Sequence, residues 1–241
     1  MDAVAKVEDH ARSLAERYRG FEGEALLRPL IEQEFPGRIV VLSSFGAESA
    51  LLLHMVAEID RATPVIFIDT GKLFGETLRY RDALVKRLGL GDLRIIGPDP
   101  AEVTRRDPTG TLWHSDADAC CALRKVEPLE RALQGFVAVI SGRKRYQGGS
   151  RAALPTIEFA ERRVQIDPLA GYTRERIERE FKLRDLPPHP LEADGFLSIG
   201  CMPCTDRVAP DEDRRAGRWR GLDKTECGIH PILRRSAGSA A

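Results

Sequence analysis

The sequence has no surplus of either charge: 37 Lys and Arg face 37 Asp and Glu, giving a net charge of zero and a pI near 7.0. A protein that holds nucleic acid on its surface normally carries a basic excess, so no nucleic-acid partner is expected. Long apolar runs are missing as well. Pieces like Ile39-Val40-Val41-Leu42 fall far short of the roughly 20 residues of a membrane-spanning helix, and no membrane partner is expected. The opening residues, Met1-Asp2-Ala3-Val4-Ala5-Lys6, lack the hydrophobic core of a secretory signal, which points to a cytoplasmic protein. There is no internal repeat, and no low-complexity segment beyond a short tail from Ser236 to Ala241 that is expected to be disordered. Neither Gly-x-Gly-x-x-Gly nor Gly-x-x-x-x-Gly-Lys-Ser/Thr occurs, which removes the main support for dinucleotide-binding and Walker-type readings.

What the chain does have is enough apolar residues for a real core: 42% of its 241 residues are hydrophobic and 31% charged, so wholesale disorder is excluded. The first thirty-odd residues have helical spacing, with Val4, Val7, Ala11, Leu14 and Tyr18 on one face and Leu26, Leu27, Leu30 and Ile31 on the next. Short β-rich runs then alternate with amphipathic stretches. Strands are predicted over 38–42, 64–68, 93–96, 137–141 and 164–166, and helices over 48–59, 76–88 (stopped by Gly89), 118–133 and 173–183. Strands apolar on consecutive residues are covered on both faces. Together with intervening helices they predict an α/β fold with a doubly wound parallel sheet. Residues 1–36 are expected to be N-terminal helices and 37–200 a nucleotide-binding α/β part. Residues 201–241 are expected to form an irregular C-terminal segment, all in one continuous domain.

In such sheets ligands bind at the carboxyl ends of the strands. Those ends carry three polar, glycine-containing loops: Ser43 to Ser49, Asp69-Thr70-Gly71-Lys72, and Gly142-Arg143-Lys144-Arg145. Small residues before a helix let backbone N–H groups approach an anion, although an ordinary strand-to-helix turn has the same look. Two basic clusters, Arg143 to Arg145 with Arg151 soon after, and Arg214, Arg215, Arg218 and Arg220, read either as solvated faces or as a pocket for a compact polyanion. A phosphate or sulfate would gain about 1.5–3 kcal/mol from each charge-assisted hydrogen bond.

The five cysteines divide as four plus one. In a reducing compartment they are better suited to metal ligation or redox chemistry than to disulfides. Cys201-Met202-Pro203-Cys204 has a spacing shared by zinc, iron–sulfur and redox sites. Its partner is the tandem Cys120-Cys121. Adjacent helical side chains point about 100° apart, so both reach one centre only if it is large or the helix bends. A single zinc ion matches that poorly, whereas four thiolates match the ligand count of a [4Fe–4S] cluster. Cys227, between Lys224 and His230, has the polar setting of a nucleophile, with Glu226 opposing its ionisation.

Several of these pieces together resemble the assimilatory sulfonucleotide reductases, specifically the iron–sulfur type that reduces adenosine 5′-phosphosulfate. They are Ser44-Phe45-Gly46-Ala47-Glu48, Asp69-Thr70-Gly71, Cys120-Cys121-Ala122-Leu123-Arg124-Lys125, Cys201-Met202-Pro203-Cys204-Thr205, Arg215-Ala216-Gly217-Arg218-Trp219 and Glu226-Cys227-Gly228-Ile229-His230. The resemblance runs from about Val40 to Ile232. It implies an adenine nucleotide alpha hydrolase-like, Rossmann-like fold with a modified phosphate loop at Ser44, Gly46, Ala47 and Glu48. It implies a [4Fe–4S] cluster on Cys120, Cys121, Cys201 and Cys204, with Lys125 between cluster and substrate. Asp69, Thr70, Gly71, Arg143, Arg145, Arg215, Arg218 and His230 are then expected at the substrate, and Cys227 is expected to be the nucleophile. The implied reaction converts adenosine 5′-phosphosulfate to sulfite and AMP through an S-sulfocysteine, with thioredoxin or glutaredoxin as thiol donor, in sulfate assimilation and cysteine biosynthesis. A homo-oligomer is compatible with this reading.

Three alternatives follow from the same residues. The 3′-phosphorylated nucleotide could be the substrate, since Arg143 to Arg145 would welcome another phosphate. A tRNA-thiolating enzyme of related fold would call for a Ser-Gly-Gly-x-Asp-Ser loop and a basic surface, and this chain has neither. A non-enzymatic iron–sulfur sensor would have no use for Cys227 or the arginines.

Overall fold

Two helices open the chain, α1 (Ala3–Arg17) and α2 (Gly23–Pro29), followed by a π turn over Leu30–Glu34. The computed structural model describes residues 3–160, 162–209, 211–222, 224 and 226–229. Strands and helices then alternate: β1 (Ile39–Leu42), α3 (Ser49–Ala57), β2 (Val65–Ile68), α4 (Gly75–Leu88), β3 (Leu93–Ile96) and α5 (Pro100–Arg106). Short α6 (Leu112–Ser115), α7 (Ala117–Cys121) and α8 (Glu127–Ala132) lead to β4 (Ala138–Ile140), β5 (Ile157–Ala160), β6 (Arg163–Ile166) and α9 (Arg174–Leu183). The adopted sheet order is β3-β2-β1-β4-β6-β5, parallel except for the β5–β6 pair. This is the predicted doubly wound α/β architecture. β5 is the strand that sequence reasoning missed, because it is a short antiparallel edge without a run of apolar residues.

Every residue of β2 and β4 is buried, as their consecutive apolar residues require. The edge strand β3 differs, with Ile95 half exposed. The N-terminal helices are part of the main core: Leu14, Leu26, Leu27 and Leu30 are fully buried in one cluster with Val41, Phe67 and Ile166. α4 ends at Gly89 in the left-handed conformation (φ 66°). Among the described residues, no helix is long and apolar enough to cross a membrane.

The predicted single helix over 118–133 is a correction. α7 stops at Cys121, a π turn covers Ala122–Val126, and α8 begins at Glu127. Pro128 has no amide hydrogen to donate to the carbonyl four residues back, so the regular ladder cannot pass through this point. A widened turn therefore directly follows Cys120-Cys121.

β1 lies between β2 and β4, and the chain reverses its direction of winding there. The loops after β1, β2 and β4 therefore leave the sheet side by side at the switch point, where open α/β sheets bind ligands.

One buried histidine supplies a pH test of this packing. His189 is 1% exposed, its Nε2 lies 3.1 Å from Thr77 Oγ1, and its Nδ1 accepts from the Leu191 amide at 3.2 Å. Burial pushes its pKa down to about 4. The folded protein thus favours neutral imidazole, while the unfolded chain takes up a proton below about 6.5. Its contribution is full above that value and is lost as pH falls from about 6.5 toward 4, to a limit of about 3 kcal/mol. Urea denaturation across this range should show the decline, and His189→Gln should flatten it.

Candidate active site

A cavity of about 420 Å³ opens at the switch point. The loop after β1 forms one wall. Phe45 reaches a left-handed backbone (φ 49°), its ring fully buried edge-on against Phe67, and its amide is held by Ser43 Oγ at 3.2 Å. With Phe45 serving as the anchor, Ser44, Gly46, Ala47 and Glu48 all line the cavity ahead of α3. Glu48 accepts from Lys144 Nζ at 2.8 Å, from Gln147 Nε2 at 3.3 Å and from the Tyr146 hydroxyl. Burial works to raise its pKa, but the Lys144 ammonium and these hydrogen bonds outweigh it and hold the carboxyl below its ordinary value. Lys144 and Tyr146 thus tie the loop after β4 to the loop after β1.

The basic residues after β4 separate into different roles. Arg143 lines the cavity, yet its guanidinium is spent on Asp167 (2.6 and 3.1 Å) and Glu158 (3.2 Å) beneath the floor. Arg145 is a correction: it is exposed, donates to the Leu154 carbonyl at 2.8 Å and is not among the lining residues. Asp69 and Gly71 likewise do not line the cavity; Asp69 Oδ1 accepts from the Gly71 amide at 3.0 Å and shapes its own turn. Thr70 does line it, and its hydroxyl lies 3.3 Å from Cys201 Sγ. Arg220 is also outside, paired with Glu212 at 3.0 Å.

The C-terminal arginines and the Cys201–Cys204 turn hold each other in place. The Met202 amide donates to the Lys72 carbonyl at 2.7 Å, and the Trp219 amide donates to the Cys204 carbonyl at 3.2 Å. Arg218 stacks on the Trp219 ring at 4.3 Å and lies flat against Gly200, where a Cβ would stand 2.3 Å from its guanidinium. Arg215 and Arg218 therefore face into the cavity together with Cys227. His230 lies outside the described residues.

All four remaining cysteines line a second, small cavity with Lys72, Arg124 and Lys125. Burial, and then the neighbouring thiols, push Cys120 up to about 11; burial also raises Cys121 and Cys204. Among the described residues, no three or more His, Cys, Asp and Glu side chains are drawn together to hold a single metal ion. The thiols surround a space instead. Four sulfur donors without a carboxylate fit an iron–sulfur cluster in number and kind. Trp219 Nε1, buried and unpartnered among the described residues, is a spare donor beside the Cys204 turn. Lys125 lines both cavities. Burial works against its charge, but coulombic attraction to the sulfurs of Cys201, Cys227 and Cys121 outweighs it and raises its pKa.

The tertiary structure adds Arg151, Arg174, Arg214, Trp219 and Glu226 to the lining. Arg151 and Arg214 had a signal, since both lie in or beside the arginine clusters. Arg174, at the start of α9, had none.

Known proteins resemble this chain in sequence and in fold. Residues 38–207 match the model of the phosphoadenosine phosphosulfate reductase domain. An adenosine 5′-phosphosulfate reductase of Mesorhizobium japonicum is 48% identical over 95% of this chain and 92% of its own. A phosphoadenosine 5′-phosphosulfate reductase of Gloeobacter violaceus is 38% identical over 90% of this chain and 92% of its own. The crystal structure of a phosphoadenylyl-sulfate reductase from Candida auris superposes with a TM-score of 0.70 at 25% identity, covering 83% of this chain and 97% of that one.

Two glycines of the arginine loop and its support should respond differently to alanine. At Gly217 a Cβ would stand 2.2 Å from the Asp206 carbonyl oxygen, so Gly217→Ala must move backbone and should lower the melting temperature. At Gly200 the obstacle is the end of a flexible side chain. Gly200→Ala should leave the melting temperature nearly unchanged but weaken AMP binding by about tenfold, as one charge-assisted contact is displaced. Calorimetric titration with AMP and thermal melts check both.

Proposed function

The chain belongs to the phosphoadenosine phosphosulfate reductase domain family, and on that premise we propose that it reduces adenosine 5′-phosphosulfate to sulfite and AMP. The observation that carries this reading is the convergence of Cys227, Lys125, Arg218 and the loop after β1 on one cavity. A thiol nucleophile, an anion cradle and buried cations are what transfer of a sulfonate from a phosphate requires.

The residues act as follows. Backbone N–H groups of Ser44 to Glu48 and the start of α3 receive the phosphate. The Cys227 thiolate attacks the sulfonate sulfur, forming an S–S bond while the sulfur–oxygen bond to phosphate breaks. AMP leaves with that electron pair, and the enzyme carries S-sulfocysteine. Arg218 and Lys125 offset the charge that grows on the leaving oxygen and the sulfonyl group. Thioredoxin or glutaredoxin then attacks Cys227 Sγ with one thiolate, releasing sulfite as a mixed disulfide forms. Its second thiol resolves that disulfide, so the two electrons come from the dithiol. Because Cys227 faces the cavity, its segment has to swing out for the second step, with Gly228 (φ +78°) as the hinge.

Cys120, Cys121, Cys201 and Cys204 would hold a [4Fe–4S] cluster. When bound, it shapes and polarises the site through the wall formed by Lys125. We place the chain in the cytoplasm, the reducing compartment in which cysteines serve as cluster ligands and nucleophiles and do not pair as disulfides. The 3′-phosphorylated nucleotide is the second reading, favoured by the likeness to enzymes named for it.

Four measurements test this. Anaerobically purified protein should contain four iron and four sulfide per chain, and stoichiometric zinc without sulfide would refute the cluster. With adenosine 5′-phosphosulfate and no thiol donor, the peptide containing Cys227 should gain the mass of SO3. Cys227→Ser should keep its iron and bind AMP yet release no sulfite, whereas loss of iron would show that the fifth cysteine is a ligand. kcat/KM should favour the nucleotide lacking the 3′-phosphate, and the reverse preference would establish the second reading.

A further inference from the structure

We propose that Glu226 is a positioning residue for the reaction: its carboxylate, clamped inside the cavity, sets where the neighbouring Cys227 sulfur stands. The inference rests on the reading of Cys227 as nucleophile. Glu226 has 7% of its side chain exposed and meets Arg151 through both oxygens, at 2.7 Å from Nε and 2.9 Å from Nη2. Arg215 Nη2 approaches the same carboxylate at 3.4 Å.

Arg151 is fully committed by this arrangement. Its third nitrogen, Nη1, donates to Gln147 Oε1 at 2.5 Å, and Gln147 Nε2 in turn donates to Glu48 at 3.3 Å. A continuous chain of hydrogen bonds therefore runs from the residue before the nucleophile to the loop that cradles the phosphate. It fixes the distance between the two groups that must straddle the transferred sulfonate. The other side of Cys227 is seated by packing. Gly228 approaches so closely that a Cβ would stand 3.3 Å from Val126 Cγ2, and Ile229 packs on the cluster containing Val40 and Leu129. The Lys224 ammonium meets Asp118 at the start of α7.

A carboxylate inside an anion-binding cavity opposes an anionic substrate unless its charge is neutralised, and the two arginines do this. Glutamine has the same shape but only one acceptor oxygen, and its NH2 group faces guanidinium donors. Glu226→Gln should therefore release the segment. Misplacing a reacting atom by about 1 Å costs up to about 100-fold in rate.

The test is rapid-quench mass spectrometry of S-sulfocysteine formation under single turnover with adenosine 5′-phosphosulfate, beside calorimetric AMP binding. Glu226→Gln should slow adduct formation by about 10- to 100-fold while AMP affinity stays at the wild-type value, which also shows that the variant is folded. Glu226→Asp, which keeps the charge on a shorter arm, should recover part of the rate. Arg151→Lys cannot make the bidentate pair and should match Glu226→Gln, with no further loss in the double variant. Adduct formation at the wild-type rate in Glu226→Gln would overturn the inference. So would tighter AMP binding, because Glu226 would then be a competitor for the substrate's cations. Absence of any adduct in the wild-type protein would remove the nucleophile reading and this inference with it.

Discussion

Two backbone hydrogen bonds, Met202 to Lys72 and Trp219 to Cys204, decide where the last quarter of the molecule sits. After α9 the described residues form neither strand nor α-helix, only turns and two 3₁₀ segments. Ordering such backbone costs about 1–2 kcal/mol per residue, which regular hydrogen-bond ladders do not repay here. The compensation is burial of a few large side chains, Trp219, Leu191 and Ile199 among them. Once Met202 is joined to the loop after β2, Cys201 and Cys204 stand beside α7, which carries Cys120 and Cys121. Once Trp219 is joined to Cys204, Arg215 and Arg218 face the cavity that the loop after β1 also lines. The two cavities thus share a wall of Lys125 and Cys201.

Charge is distributed around that wall in two populations. Arg143 with Asp167, Lys144 with Glu48 and Arg151 with Glu226 are internal pairs that fix loops. Removing one member of such a pair strands its partner in a poorly hydrated place, so these are structural commitments more than sources of affinity. Among the described residues, Lys125 and Arg218 have no carboxylate within ion-pair reach, and their charge is available to an anion. The formal neutrality of the whole chain conceals this division.

The same division explains how a chain of zero net charge can take a highly charged nucleotide. Long-range attraction is not needed when a few cations are desolvated at the bottom of a cavity, where each interaction is stronger than at the surface. It also explains why Glu48 and Glu226, two of the carboxylates that line the cavity, are tolerated. Each is surrounded by donors from a neighbouring segment, and each converts electrostatic attraction into a defined loop position.

Much of the fold and of the site was legible in the sequence because it depends on local pattern. Consecutive apolar residues mark β1, β2 and β4, Gly89 marks the end of α4, and the cysteine spacing by itself separates four residues from Cys227. Those signals are one-dimensional: periodicity, a cap, a motif. What only the tertiary structure decided is which charges are free. Arg143, Arg145, Arg151 and Arg218 look alike along the chain. Their roles diverge because Asp167, the Leu154 carbonyl, Glu226 and the Trp219 ring reach them from segments 9 to 75 residues away in three cases, and from the adjacent residue in the fourth. A guanidinium's use is set by whichever acceptor folding brings to it, and residue type alone carries no record of that.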